Sequence, residues 1–197
     1  MDVVVLTVDQ HESRAGPDEV PAALSALAAV PCLLPFERTA GDEFQGLLDD
    51  PAAVPAALEI LFRDGGWNIG IGIGPVETPL PDQARAGRGD AYVAAREAVT
   101  AAKSSPWRIR TAGPSPAMRP LESAIWLWAA LLARRTDRGW EVSDLVDEGL
   151  TYEQTAERIG ITQSAVSQRA AAAGIAEGRR ARELVEFLTR TALEGNR

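Results

Sequence analysis

Two carboxylates, Asp9 and Asp42, are the first residues in this chain whose type and setting could do chemistry. Asp9 closes the apolar run VVVLTVD, and Asp42 sits inside RTAGDEFQGLL. Two aspartate side chains plus a triphosphate are a common way to hold Mg²⁺, which takes few protein ligands and keeps several waters. The polar stretch after Asp9 could add backbone N–H groups for phosphate. On spacing alone the plainer reading is preferred, with Asp42 as a good turn residue and Asp9 as a strand-end cap. His11, the single histidine, reads as a solvated loop residue beside Asp9.

A second set of chemistry-bearing residues lies near the other end, in TYEQTAERIGITQSAVSQRAAAAG at 151–174. Thr151 is placed to cap a first helix that turns Ala156 and Ile159 inward. Gly160 ends that helix, Ile161 plugs the corner, and Thr162 caps a second helix with Val166, Ala170 and Ala173 on one face. This is the pattern of a DNA-reading helix-turn-helix, in which a small alanine and a glycine turn let two helices approach. The second helix leaves Gln163, Ser164, Ser167, Gln168 and Arg169 outward, near the cap Thr162. Glutamine can read adenine, arginine guanine, and serine either. From 158 to 182 there are five arginines against one glutamate, a local charge of +4 that includes Arg179 and Arg180. Double-stranded DNA, bound by a homodimer on paired half-sites, is the partner this pattern implies. A small helical bundle that merely contains a turn is the alternative.

The elements that must position these residues follow from periodicity. Residues 3–8 form a β-branched run expected of a strand buried on both faces. Residues 20–30 read as a helix, and CLLPFER and EFQGLL as two strands joined at Ala40, Gly41 and Asp42. Asp50 is expected to cap a helix with Pro51 at its first position. In WNIGIGIGPV, isoleucines alternate with glycines. The glycine face marks a close approach, either of a ligand or of a packed helix. Residues 89–103 are helical, and RIRTAG is a last strand. The order is that of a split, ferredoxin-like α+β sheet. GPSPAMRP, at 113–120, is the best boundary in the chain. Everything from 121 reads as helix, including LESAIWLWAALLARR, whose apolar side chains pack beneath the helix-turn-helix or form a dimer face.

Composition sets the outer limits. Of 197 residues, 46% are hydrophobic and 24% charged, which is a globular balance. The net charge of −8 argues against a protein that is basic throughout, so charge has to be judged by segment. Cys32 is the only cysteine, which rules out an internal disulfide. The apolar stretch at 124–133 has about half the ~20 residues of a membrane span. The start shows no signal peptide, so a cytoplasmic protein without membrane attachment is expected.

RTAGDEF resembles the RYGGDEF hairpin of GGDEF diguanylate cyclases and the K-T-x-G-D hairpin of class III nucleotide cyclases. The strand ending in Asp9, the strand IGIGIGPVE and the segment from Gly89 to Arg96 are similar in order to class III motifs. With Ser13, Arg14 and the C-terminal helix pair, the whole chain resembles the SatD family of bacterial proteins. The resemblance implies metal binding by Asp9 and Asp42 and nucleotide binding by Arg38, Gly41 and Arg96. Arg38 would contact the base, and Arg96 would stabilise the transition state. Tyr92 replaces the expected asparagine, and the segment from Gly89 is one residue short. Gln10, His11 and Glu12 stand where the enzymes carry small apolar residues, and Ala40 replaces a glycine. Phosphoryl transfer depends on positioning and charge stabilisation, so these departures predict little turnover. The expectation is an α/β protein with a cyclase-like palm at 1–112, a Pro-rich linker at 113–120 and an all-α DNA-binding domain at 121–197. The role expected of it is that of a bacterial transcription regulator whose palm dimerises or senses a nucleotide, with no cofactor required unless Mg²⁺ enters with that nucleotide. The alternative is a metal-dependent nucleotide cyclase or nucleotidyl transferase acting at Asp9 and Asp42.

Overall fold

The structure, a computed structural model, describes residues 1–12 and 16–195. Ser13 and Arg14 lie outside the described residues. Among the described residues, five strands and eight α-helices make a mixed α/β architecture. The order is β1 (Asp2–Gln10), α1 (Val20–Leu27), β2 (Leu34–Ala40), β3 (Glu43–Leu48), α2 (Ala53–Asp64), β4 (Trp67–Pro75), α3 (Asp90–Ala102), β5 (Ile109–Ala112), α4 (Met118–Leu132), α5 (Asp137–Asp147), α6 (Tyr152–Ile159), α7 (Gln163–Ala172) and α8 (Ile175–Glu194). The strands lie in the order β2-β3-β1-β4-β5. All pairings are antiparallel except β4 with β5. No helix among the described residues is long and apolar enough to cross a membrane.

The unbroken apolar run in β1 follows from burial on both faces. Val4, Leu6 and Val8 join a large cluster with α1, α2, α4 and α8, while Val3 and Val5 meet α3 on the other side. Ile69, Ile71 and Ile73 of β4 belong to the first cluster. The glycine face of β4 is occupied by α3, which settles the two possibilities left open by the alternation in favour of a packed helix. A Cβ on Gly72 would lie 2.2 Å from the Ala91 carbonyl oxygen and 2.3 Å from the Ala95 nitrogen; one on Gly70 would lie 2.3 Å from the Val99 nitrogen.

One expected cap is displaced. α2 begins at Ala53, with Ala52 as a cap that has no side-chain hydrogen bond. Asp50 instead accepts from the Ala52 N–H at 2.9 Å, forming an aspartate turn ahead of the helix. Pro51 belongs to that turn and not to the helix.

α4 starts within the Pro-rich stretch, with Pro120 in its first turn, where a missing N–H is tolerated. It packs against the sheet through Leu121, Ile125 and Trp128, and α8 joins the same cluster through Val185 and Ala192. α4 is also tied to β5. Trp126 Nε1 donates to the Ile109 carbonyl at 3.0 Å, and Glu122 accepts from the Thr111 N–H and from Arg110, each at 2.9 Å. The Ser105 hydroxyl accepts from the Ile109 N–H at 3.0 Å.

α5, α6 and α7 close on a small cluster of their own, including Val142, Ala156, Val166 and Ala170. They are tied to the rest by charge. Arg63 of α2 holds Asp144 of α5 with two bonds of 2.8 Å, and Arg182 of α8 reaches Glu59 of α2 at 2.8 Å. Arg135, whose side chain is only 2% exposed, sits at the centre of this joint. It donates to the Ala173 carbonyl at 3.1 Å and to Ser143 at 3.0 Å, and lies 4.3 Å from the Trp140 ring centre. Burial pulls the Arg135 pKa down and pushes that of Glu59 up.

Burial likewise pushes the Cys32 thiol up to about 11. At pH 8 its thiolate fraction is then about 100-fold below that of a cysteine at the ordinary value. Alkylation of the native protein should be slow at pH 8 and accelerate as pH rises toward 11. A rate equal to that of the urea-unfolded chain at pH 8 would contradict this.

Candidate functional site

The end of β1, the β2–β3 turn and the end of α3 meet at one polar cavity of about 520 Å³, lined by Asp9, Asp42, Asn68, Lys103 and Arg108 among others. The turn needs Gly41, whose φ is +60°, and it is pinned to β1 by the Gln10 N–H donating to the Asp42 carbonyl at 3.1 Å. The structure therefore brings the two sequence-predicted carboxylates, Asp9 and Asp42, to the same cavity. Glu12 and Arg108 also line it, and they are the only non-glycine residues with positive φ among the described residues. Such backbone strain persists only where surrounding structure enforces it, and it concentrates at functional sites.

Asp9 is already matched. Lys103 Nζ lies 3.1 Å and 3.2 Å from its two oxygens, and Asn68 Nδ2 donates to it at 3.1 Å. Among the described residues, no group of three or more His, Cys, Asp or Glu side chains is placed to hold a metal ion. Mg²⁺ at Asp9 would have to displace the Lys103 ammonium. The cavity thus sets the donors Asn68, Lys103 and Arg108, which suit a phosphate, among the carboxylates of Asp9, Glu12 and Asp42.

The other resemblance-derived residues are dispersed. Arg96 donates to Glu43 at 2.9 Å, and Thr39 donates to the same carboxylate at 2.7 Å. Arg38 stands opposite Phe44, on the sheet face that α1 and α2 cover, and it grips both oxygens of Asp18 at 2.6 Å. That hydrogen bond holds the Asp18 carboxyl below the usual carboxylate range. Arg38 and Arg96 are thus not gathered around one ligand position.

Sequence reasoning missed Thr7, Glu43, Gln45, Asn68 and Lys103. In register, Thr7 faces Gln45 and Asp9 faces Glu43 and Asn68, so these residues continue the α3-covered side of the sheet as a polar floor. Gln45 donates to Thr7 at 2.7 Å. The available signal was the switch from Val3 and Val5 to Thr7 and Asp9 at every second residue.

The α6–α7 pair is closed as its sequence predicts. Thr151 and Gln154 form a reciprocal capping box, Gly160 is left-handed at φ 71°, and the Thr162 hydroxyl accepts from the Ala165 N–H. Val166, Ala170 and Ala173 are buried, and Thr162, Gln163, Ser164, Ser167 and Gln168 are exposed. Arg169 departs from the expected exposure. It lies on the flank of α7, half-buried, with Glu141 of α5 at 3.5 Å.

The basic segment is largely neutralised within the molecule. Arg179 pairs with Asp147 at 2.9 Å, Arg180 with Glu183 at 3.1 Å, and Arg182 with Glu59 at 2.8 Å. Arg158 enters none of these pairs. Exposed ion pairs are worth about 0–1 kcal/mol, so phosphate oxygens can compete for the exposed arginines at little cost.

No family model and no curated protein matches the chain. A solved structure, a regulator of polyketide synthase expression from Bifidobacterium adolescentis, is similar over 98% of this chain and 81% of that one, at 14% identity and a TM-score of 0.30. That likeness is too weak to carry fold or function.

Proposed function

We propose that the protein is a DNA-binding transcription regulator in which α6 and α7 form a helix-turn-helix and α7 enters the major groove. The observation that carries this reading is the closed α6–Gly160–α7 corner, which leaves Gln163, Ser164, Ser167 and Gln168 on the free face of a well-capped helix. Their side chains offer donors and acceptors without a charge that would fix them elsewhere. Arg179 and Arg180 would contact phosphate after releasing Asp147 and Glu183. Residues 1–112 would be a cyclase-like palm and 121–197 the DNA-binding part, joined through 113–120. The palm would serve as a dimer scaffold or as a sensor of a phosphate-bearing nucleotide. A homodimer has exposed apolar side chains to use on the packed helices α4 and α8: Leu127, Leu184 and Phe187.

The test is retention of fragmented host genomic DNA by the full chain at near-physiological salt, followed by sequencing. A few discrete enriched sites are expected. Gln168→Ala should weaken binding to such a site by about tenfold, within the ~1–3 kcal/mol of a good base contact. Uniform or negligible retention would remove the reading.

A metal-dependent nucleotide cyclase or nucleotidyl transferase acting at Asp9 and Asp42 is the second reading, supported by their shared cavity. Mg²⁺- or Mn²⁺-dependent pyrophosphate release that Asp42→Asn abolishes would establish it. Absence of turnover with all four common triphosphates would eliminate it.

A further inference from the structure

α8 runs for 20 residues and buries one side only, with Val185 and Ala192 packed into the main core. On the opposite side Arg180, Leu184, Phe187 and Thr191 are exposed, Leu184 at 47% and Phe187 at 62%. Steps of four, three and four residues keep these positions on one face of an α-helix. Leu127 of the packed neighbour α4 is 75% exposed. Exposed apolar residues are ordinary on a protein surface, so the stripe alone names no occupant. The charges beside it do. Glu183, Arg190 and Glu194, spaced by two turns and then one, line one flank of the stripe. The other flank, Ala181 and Leu188, is apolar and half-buried. Within the helix Glu183 pairs with Arg180 at 3.1 Å and Arg190 with Glu186 at 2.8 Å. Such exposed pairs are worth little and exchange partners readily.

We propose that this stripe is the contact between two copies of the chain, made by α8 lying antiparallel on α8 of the partner subunit. The stripe has the same spacing read from either end. A two-fold axis between the helices, level with the midpoint of Leu184 and Phe187, therefore sets Leu184 opposite the partner's Phe187 and Arg180 opposite the partner's Thr191. The same register brings Glu183 beside the partner's Arg190 and Arg180 near the partner's Glu194, each pair occurring twice. A parallel arrangement would set Glu183 against the partner's Glu183 and Arg190 against the partner's Arg190, like charge on like. Charges flanking an apolar seam decide orientation in this way. The contact supplies the homodimer that the regulator reading calls for, and it rests on that reading for its purpose but not for its chemistry. With the contact on α8, residues 1–112 are left to the sensing role. The starts of the two α8 helices, each joined to α7 through Gly174, then lie about 32 Å apart along the pair at ~1.5 Å per residue. That separation is close to the ~34–36 Å between half-sites one turn of DNA apart.

The test is sedimentation velocity of the full chain across the micromolar range, without DNA. A reversible dimer is expected. Leu184→Glu together with Phe187→Glu alters two exposed positions, so it should preserve the circular dichroism spectrum and leave the chain monomeric throughout. Glu183→Arg should weaken the dimer about tenfold, and adding Arg190→Glu should restore it. Within one helix these two residues stand two turns apart, so the rescue reports on contact between copies. In a Cys32→Ser background, Arg180→Cys combined with Thr191→Cys should give a covalent dimer on oxidation, and neither alone should do so. A monomer at every concentration, a dimer untouched by Leu184→Glu with Phe187→Glu, a charge swap that fails to rescue, or cross-linking by Arg180→Cys alone would overturn the proposal. A monomer that still enriches discrete DNA sites would sink the α8 contact alone. A dimer that enriches none would sink the regulator reading alone.

Discussion

Gly72→Ala is expected to destabilise the protein by at least about 3 kcal/mol. The added methyl carbon would lie 2.2 Å and 2.3 Å from backbone atoms of Ala91 and Ala95, and 2.9 Å from the Ala95 Cα. None of these is a side-chain end that can rotate away, so α3 itself must lift from the sheet. Ordinary overpacking costs about 1–3 kcal/mol, and a clash with helix backbone belongs at or above the top of that range. Lifting α3 would also move Lys103 from Asp9 and Arg96 from Glu43, so the polar cavity should change along with stability. Gly74→Ala is the control. On the same face of β4, its Cβ would meet Ala91 and Asp90 at 3.5–3.9 Å, which is ordinary contact. Urea unfolding should show a large drop in midpoint for the first variant and little change for the second. Equal effects would mean that α3 does not rest on the glycines as described.

Arg135→Ala carries the other large effect, about 3–5 kcal/mol. The side chain is 2% exposed, so its removal opens a void, strips the Ala173 carbonyl and the Ser143 hydroxyl of a donor, and takes a cation from beside Glu59. Breaking a buried charged network by deleting one member costs this much, because the groups left behind are unpaired. Arg135→Met restores most of the volume without the hydrogen bonds and should fall between Arg135→Ala and the parent. Because Ala173 follows α7, amide exchange in α7 should quicken more than in β1. A loss below about 1 kcal/mol for Arg135→Ala would show that the joint does not depend on this residue.

What could be read from the chain, and what could not, divides by the distance over which partners act. The caps at Thr151 and Thr162 are satisfied by residues three positions away, and periodicity needs only neighbouring turns, so both were readable. The glycine alternation announced a close approach but could not say what approached. The local charge of +4 over 158–182 does not reveal the counter-charges, several of which come from afar, with Glu141 28 residues from Arg169 and Asp147 32 residues from Arg179. The candidate cavity shows the same limit. Asp9 was singled out, yet its partner Lys103 is 94 residues away, and only the folded register puts Asn68 beside it. Arg38 was grouped with Arg96 by resemblance, and a sheet face separates them.

The ties between α4 and β5 have a consequence beyond holding a helix in place. β5 is the last strand of the sheet. The Ile69 N–H bonds to the Arg108 carbonyl, and in a parallel pair this turns the backbone groups of Ile109 and Thr111 away from β4. An open row of that kind is a template on which another molecule's strand can grow. Here the Ile109 N–H is taken by Ser105, its carbonyl by the Trp126 indole, and the Thr111 N–H by Glu122. The three side chains occupy both outward groups of Ile109 and the outward N–H of Thr111, which guards the β5 edge against templating another molecule's strand.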